Sequence, residues 1–306
     1  VDDENRGSAP SLNPNYIVSP SRSLDAWLGI SFGQLEARDS NAILQMVFNF
    51  SAALGKLNSD GNSPRILETG SGFSSQIFYS LLPKKNLDEL VSIDYGGLQA
   101  TENNSRHVVD LGKVFGSDFA TLSAAPTIDL RDLEAVYGGS EPATWRPSGL
   151  DAAKLSPFVD LRLDNRRRAQ IESATRSTFD INTISSDILG GSLSDSEIIK
   201  SYRSAGDEFE LLKSIESKGV LADTLREVRP NLIFLDSGEF STLPEFLIVD
   251  DLAEIGAVLL VQDIIFPKSI KGFLIGALVA ASSRWEVLWI DRSTPQGMLA
   301  AIRKPA

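Results

Sequence analysis

Four acids stand where apolar runs of the sequence stop: Glu68, Asp94, Asp236 and Asp263. Each run before them has the length and composition of a buried strand. In an open parallel sheet, ligands bind beyond the carboxyl ends of the strands, so acids at those ends are placed to meet one. Between the first two acids lies Thr69-Gly70-Ser71-Gly72-Phe73-Ser74-Ser75. Gly70 and Gly72 allow a backbone to pass close to a bound molecule, and the free N–H groups of a helix starting there would face it. Asp94 follows Glu68 by about 26 residues, which suits a carboxylate on the neighbouring strand that accepts hydrogen bonds from a ribose diol. His107 is the one conventional base for neutral pH in the chain.

These residues need a frame to hold them. Strand (Arg65–Glu68), glycine turn, helix (Gln76–Leu82) and strand (Leu90–Asp94) make a βαβ unit, whose right-handed crossover forces a parallel pair. The same logic returns late in the chain. Asn231–Asp236 and Ala257–Asp263 read as strands, with helices near Pro244–Ile255 and Lys271–Ser282. Trp285–Ile290 and Met298–Ile302 flank a turn with Pro295 and Gly297 and predict a hairpin. Upstream, Ile43, Val47, Phe50 and Leu54 recur at helical spacing behind Ser40, a plausible N-cap. The fold class is therefore α/β: a Rossmann-like open, mostly parallel sheet with helices on both faces and a C-terminal antiparallel hairpin.

The middle is less legible. Helices are expected at Asn165–Ser177 and at Asp195–Ser204, the second behind a Ser194/Glu197 capping box. One further strand is needed, with Phe158–Leu163 and Phe179–Ser185 as candidates, while Ser123–Pro157 reads as loop. The spacing predicts an arm over residues 1–40 and one α/β domain over 41–306, with an inserted lid within about 100–229.

Composition narrows the chemistry. The 306 residues contain no cysteine, which removes disulfides, thiolate metal sites and a cysteine nucleophile. One histidine rules out a multi-histidine metal site. A net charge of -12 disfavours nucleic acid as a partner, and Arg166-Arg167-Arg168 reads as a solvated helix face. The apolar run Gly272–Ala281 is far shorter than the roughly 20 residues of a membrane span, and no leader is evident, so a cytoplasmic protein without membrane partners is expected.

The stretch Ile66–Ser75, with Val91-Ser92-Ile93-Asp94, Leu232–Gly238, Ala257–Asp263 and the closing hairpin through Arg303, resembles the class I S-adenosylmethionine-dependent methyltransferases of the small-molecule type. The resemblance covers about half the chain, over 41–95 and 230–304. It implies a seven-stranded sheet whose last strand is antiparallel. It implies S-adenosylmethionine as cofactor, with the glycine turn on its amino-acid part and Asp94 on its ribose. The cofactor-contacting set is then Glu68, Thr69, Gly70, Ser71, Gly72, Ser74, Ser75, Asp94, Tyr95 and Asp236. The expected reaction is methyl transfer to a small-molecule acceptor, at a hydroxyl, with Asp263, Asp236 and His107 as candidate bases in that order.

The chain departs from the family pattern in places. Ser74 stands where a third glycine is common, and no residue is fixed as the adenine neighbour, Asp187 being one candidate. Asp236 and Asp263 match positions that bind a magnesium-like ion in some relatives. Gln262 and Glu239 replace the acid and the histidine seen beside them there, so a divalent metal is not favoured. Two other readings stay open. Gly70–Ser75 is one substitution from a dinucleotide fingerprint, which suggests a nicotinamide-dependent oxidoreductase, although Glu68 would repel a pyrophosphate. A catalytically silent cofactor-binding module is the other.

Overall fold

The computed structural model of the chain describes residues 37–70, 73–82, 90–93, 121–123, 125–137, 212–214, 218–238, 240–265, 271–294 and 296–305. In chain order the elements are α1 (Ala37–Ser59), β1 (Ile66–Thr69), α2 (Phe73–Leu81), β2 (Leu90–Ile93), β3 (Thr121–Ser123), α3 (Leu130–Tyr137), α4 (Leu221–Val228), β4 (Leu232–Leu235), α5 (Thr242–Leu252), β5 (Val258–Gln262), α6 (Lys271–Ala281), β6 (Trp285–Asp291) and β7 (Met298–Arg303).

The seven strands form one sheet in the order β3-β2-β1-β4-β5-β7-β6. β1 to β5 run parallel, and β7 is antiparallel to both β5 and β6. The hairpin and the antiparallel last strand are as expected. Strand order runs outward from β1 through β2 to β3, then restarts on the other side with β4. The topological switch point is therefore the gap between the carboxyl ends of β1 and β4, where a ligand crevice opens in sheets of this kind.

Successive strand residues face opposite sides, and both sides are apolar. Ile66, Leu232, Phe234, Val258 and Leu260 pack with α1 and α2. There Phe50 stacks on Phe78 at 3.8 Å between ring centroids, and Phe234 meets Phe50 edge-on at 4.9 Å. Leu67, Ile233, Leu235, Leu259 and Val261 pack with α3, α4, α5 and α6. Burial on both faces is why these strands read as continuous apolar runs. A polar network pins α1 to the hairpin: Asn49 Nδ2 donates to Asp291 Oδ2 at 2.6 Å, Trp289 Nε1 donates to Asn49 Oδ1 at 2.6 Å, and Thr294 Oγ1 donates to Gln45 Oε1 at 2.7 Å.

Three local expectations are corrected. The third strand is Thr121–Ser123, paired in parallel with β2, and neither of the two segments proposed for it. A strand of three residues carries too little alternation to be read from sequence. Leu130–Tyr137 is a helix inside the stretch expected to be loop. Its signal was present: Asp129 Oδ1 accepts from the N–H groups of Arg131 and Asp132, and Asp132 Oδ2 accepts from the N–H of Asp129. α1 starts at Ala37, so Ser40 lies within the helix and not at its cap. Ala37 and Arg38 are good helix formers and extend it upstream. The other helices expected in the middle, the proposed lid and most of the arm lie outside the described residues.

Candidate functional site

β1 ends in Glu68 and Thr69, and their side chains leave on opposite faces of the sheet. Glu68 is fully buried on the α1–α2 face. Its carboxylate accepts hydrogen bonds from two serines in the first turn of α2: Ser75 Oγ donates to Oε2 at 2.6 Å, and Ser74 Oγ donates to Oε1. The strand end is thereby tied to the helix that follows. Burial pushes the Glu68 carboxyl up to about 7, against the opposing effect of Ser74 and Ser75. Ser92, level with Glu68 on β2, also favours the charged form, although its hydroxyl lies outside hydrogen-bonding geometry and has no partner among the described residues. The charge of Asp236 acts in the other direction.

On the other face, Thr69 Oγ1 donates to Glu245 Oε2 at 2.8 Å. Glu245, in the first turn of α5, is also fully buried. Ser237 Oγ donates to the same Oε2 at 2.6 Å, and Thr127 Oγ1 donates to Oε1. Hydroxyls from the last residue of β1 and from the segments after β3 and β4 thus converge on one carboxylate at the carboxyl edge of the sheet. Thr127 is delivered by a segment tied to the start of α4, where the Leu221 N–H donates to the Thr127 carbonyl at 2.9 Å. Sequence reasoning missed Glu245, because two of its three partners, Thr69 and Thr127, lie more than a hundred residues away along the chain.

Gly70 closes the arrangement at the switch point. It adopts φ +83°, and a Cβ there would collide with the carbonyl group of Asp236 and lie 3.2 Å from the Ser237 Cα. The Gly70 N–H donates to the Ile93 carbonyl at 2.8 Å, and the Asp236 N–H donates to the Thr69 carbonyl at 3.1 Å. Gly70 and Asp236 therefore stand side by side where the strand order reverses. Glycine is required by both backbone sign and space.

β5 supplies the next edge. Asp263 follows the strand with φ +59°, one of two non-glycine residues with positive φ among those described. Its N–H donates to the Gly297 carbonyl at 3.0 Å, and its own carbonyl accepts from the Gly272 N–H at 3.2 Å. Gly272 leaves room for that approach, since a Cβ would lie 2.8 Å from the Asp263 carbonyl carbon. Bonds on both sides thus hold Asp263 in a left-handed conformation that aspartate tolerates better than most residues.

No family model and no curated protein matches the chain. Solved structures similar to it include an O-methyltransferase from Bacillus cereus in complex with SAH, at 10% identity and a TM-score of 0.39, covering 92% of this chain and 96% of that one. Another is the O-methyltransferase TomG from Streptomyces achromogenes in complex with SAM, at 13% identity and a TM-score of 0.37, covering 93% and 97%. A third is a protein from Klebsiella pneumoniae described as a putative O-methyltransferase, at 12% identity and 0.38, covering 91% and 86%. At these identities and scores the likeness carries no residue role into this chain.

Of the residues singled out from sequence, the fold brings Glu68, Thr69, Gly70, Ser74, Ser75 and Asp236 together at the switch point, with Asp263 one strand further along. Glu68, Ser74 and Ser75 are buried beneath the turn, where they bind one another. Ser71, Gly72, Asp94, Tyr95, His107, Asp187 and Glu239 lie outside the described residues. Among those described, no three His, Asp or Glu side chains stand together as a metal site, and no helix is long and apolar enough to cross a membrane.

Proposed function

We propose that the chain is a class I methyltransferase that binds S-adenosylmethionine at the β1–β4 switch point and methylates a hydroxyl of a small-molecule acceptor. The observation that carries this reading is the approach of Gly70 to Asp236, with Glu68 clasped beneath the turn. The residues present fit the group. A positive-φ glycine gives close access to backbone, and Asp236 provides negative charge beside it for a cationic amino-acid end. Glu68, below the same turn, disfavours a pyrophosphate there, which weighs against the nicotinamide reading. When bound, S-adenosylmethionine supplies a methyl group already activated by its sulfonium.

The chain's own work is then alignment. The turn at Gly70 holds the amino-acid part, and Asp94, one strand over, takes the ribose hydroxyls. Asp263 and Asp236 are the carboxylates that stand at the carboxyl edge to receive a proton from the acceptor, with His107 as a third candidate. Fixing donor and acceptor in line accounts for most of the acceleration expected of such a site.

Isothermal titration with S-adenosylmethionine, S-adenosylhomocysteine, NAD and NADPH tests the reading. Binding of the first two and neither nicotinamide compound is expected. Gly70→Ala is expected to weaken S-adenosylhomocysteine about tenfold or more, because it forces the Asp236 backbone to move and strains the turn by about 1–3 kcal/mol. Binding of a nicotinamide compound alone would reverse the assignment.

A further inference from the structure

Besides the Ser92 hydroxyl next to Glu68, one more buried polar atom near the carboxyl edge lacks a partner among the described residues. Gln262 is the last residue of β5 and only 8% exposed, yet its Oε1 has no hydrogen-bond partner among the described residues. Val258 and Leu260, four and two residues earlier, pack on the α1–α2 face, so alternation sends Gln262 to that same face. Register sets its height. Leu235 pairs with Val261 and Thr69 with Leu235, so Gly70, Asp236 and Gln262 lie in one row across β1, β4 and β5. Gln262 is thus one strand beyond the Gly70–Asp236 contact, on the side away from β2. Buried amide oxygens are nearly always paired, and an unpaired one at the edge of a ligand crevice calls for a donor that arrives with the ligand. The terminal torsion of a glutamine turns easily, so the oxygen can reach the exposed edge of its own side chain.

Resting on the methyltransferase reading above, we propose that Gln262 recognises the methyl acceptor: its Oε1 accepts a hydrogen bond from an O–H or N–H donor at the point of methyl transfer. An amide is not basic, so Gln262 orients the acceptor and leaves proton removal to a carboxylate. The substrate class is a small polar molecule that presents a donor hydrogen on, or directly beside, the reacting atom.

Sinefungin is a suitable probe, because it carries an amine where S-adenosylmethionine carries its transferable methyl. Affinities for sinefungin and S-adenosylhomocysteine are measured by titration calorimetry on the wild-type chain, Gln262→Met and Gln262→Glu. The wild type is expected to prefer sinefungin by about tenfold, the worth of one good hydrogen bond. Gln262→Met should reduce that preference to within about twofold, with S-adenosylhomocysteine affinity unchanged. Gln262→Glu should increase it. Gln262→Met should also melt no lower than the wild type, since it removes an unpaired buried oxygen and keeps the volume. A preference for sinefungin that survives Gln262→Met, or an equal loss for both compounds, overturns the proposal. So does a lowered melting temperature with the preference intact, which marks an oxygen served by internal water. Failure of the wild type to bind S-adenosylhomocysteine overturns the methyltransferase reading itself, and is a separate result.

Discussion

Two fully buried glutamates flank the end of β1, one on each face of the sheet, and they do different work. Glu68 takes hydroxyls from residues six and seven positions along the chain. It ties a strand to its own following helix and shapes one turn. Glu245 takes hydroxyls from residues 176 and 118 positions away, and from Ser237 nearby. It ties together segments that only meet once the sheet has formed. The first is a local clasp and the second a tertiary one. A local clasp can order its turn early, because closing a short loop loses little entropy. The tertiary one can form only after long-range strand pairing. The site at Gly70 and Asp236 lies between them and depends on both.

The largest effect should come from breaking the tertiary clasp. Glu245→Ala leaves the Thr69 and Thr127 hydroxyls without their acceptor in a buried setting, and should lower unfolding free energy by about 2–5 kcal/mol in urea melts. A smaller loss than that of Glu68→Ala would make the local clasp the dominant one. The second effect depends on pH. The folded Glu68 carboxyl sits near 7 against 4.5 as its ordinary value, so the folded state holds its proton more tightly. Its stabilising contribution is complete below about pH 4.5 and is lost as pH rises to about 7. Glu68→Gln removes that slope. Relative to wild type, the variant should gain about 3 kcal/mol between pH 4.5 and pH 8, as read from urea midpoints at each pH. A parallel pH dependence in the two proteins would mean that Glu68 is ionised and satisfied throughout. The smallest effect sharpens the same point. Ser75→Ala removes one donor at 2.6 Å from that carboxylate. It should cost about 1–2 kcal/mol at pH 8 and less at pH 4.5, because the hydroxyl favours the charged form. Equal losses at both values would assign Ser75 a packing role only.

Legibility followed sequence separation. Glu68, Gly70, Ser74 and Ser75 fall within eight residues, and their types announce a turn between strand and helix. Asp236 was legible because a buried parallel strand is a dense apolar run with an abrupt end. Glu245 sits inside an apolar helix segment, Thr242–Leu252, where one acid reads as a first-turn residue favoured by the helix dipole. Nothing in its neighbourhood names Thr69 or Thr127. Gln262 was visible at the end of its run, but its lack of a partner is a property of the packed sheet.

The amino-acid pattern determined which segments become strands and helices over most of the described chain. It also set the right-handed βαβ start and the closing hairpin, because side-chain periodicity and turn chemistry act over a few residues. Tertiary structure decided the order β3-β2-β1-β4-β5-β7-β6, and with it the gap at which a ligand can sit. It chose a three-residue third strand over longer apolar candidates, since pairing with β2 can stabilise a strand too short to be recognised alone. It set Gly70 against the Asp236 carbonyl and brought the two distant hydroxyls of Thr69 and Thr127 onto Glu245. Those contacts join residues from separate parts of the chain, and they exist only where the packed sheet aligns its carboxyl ends.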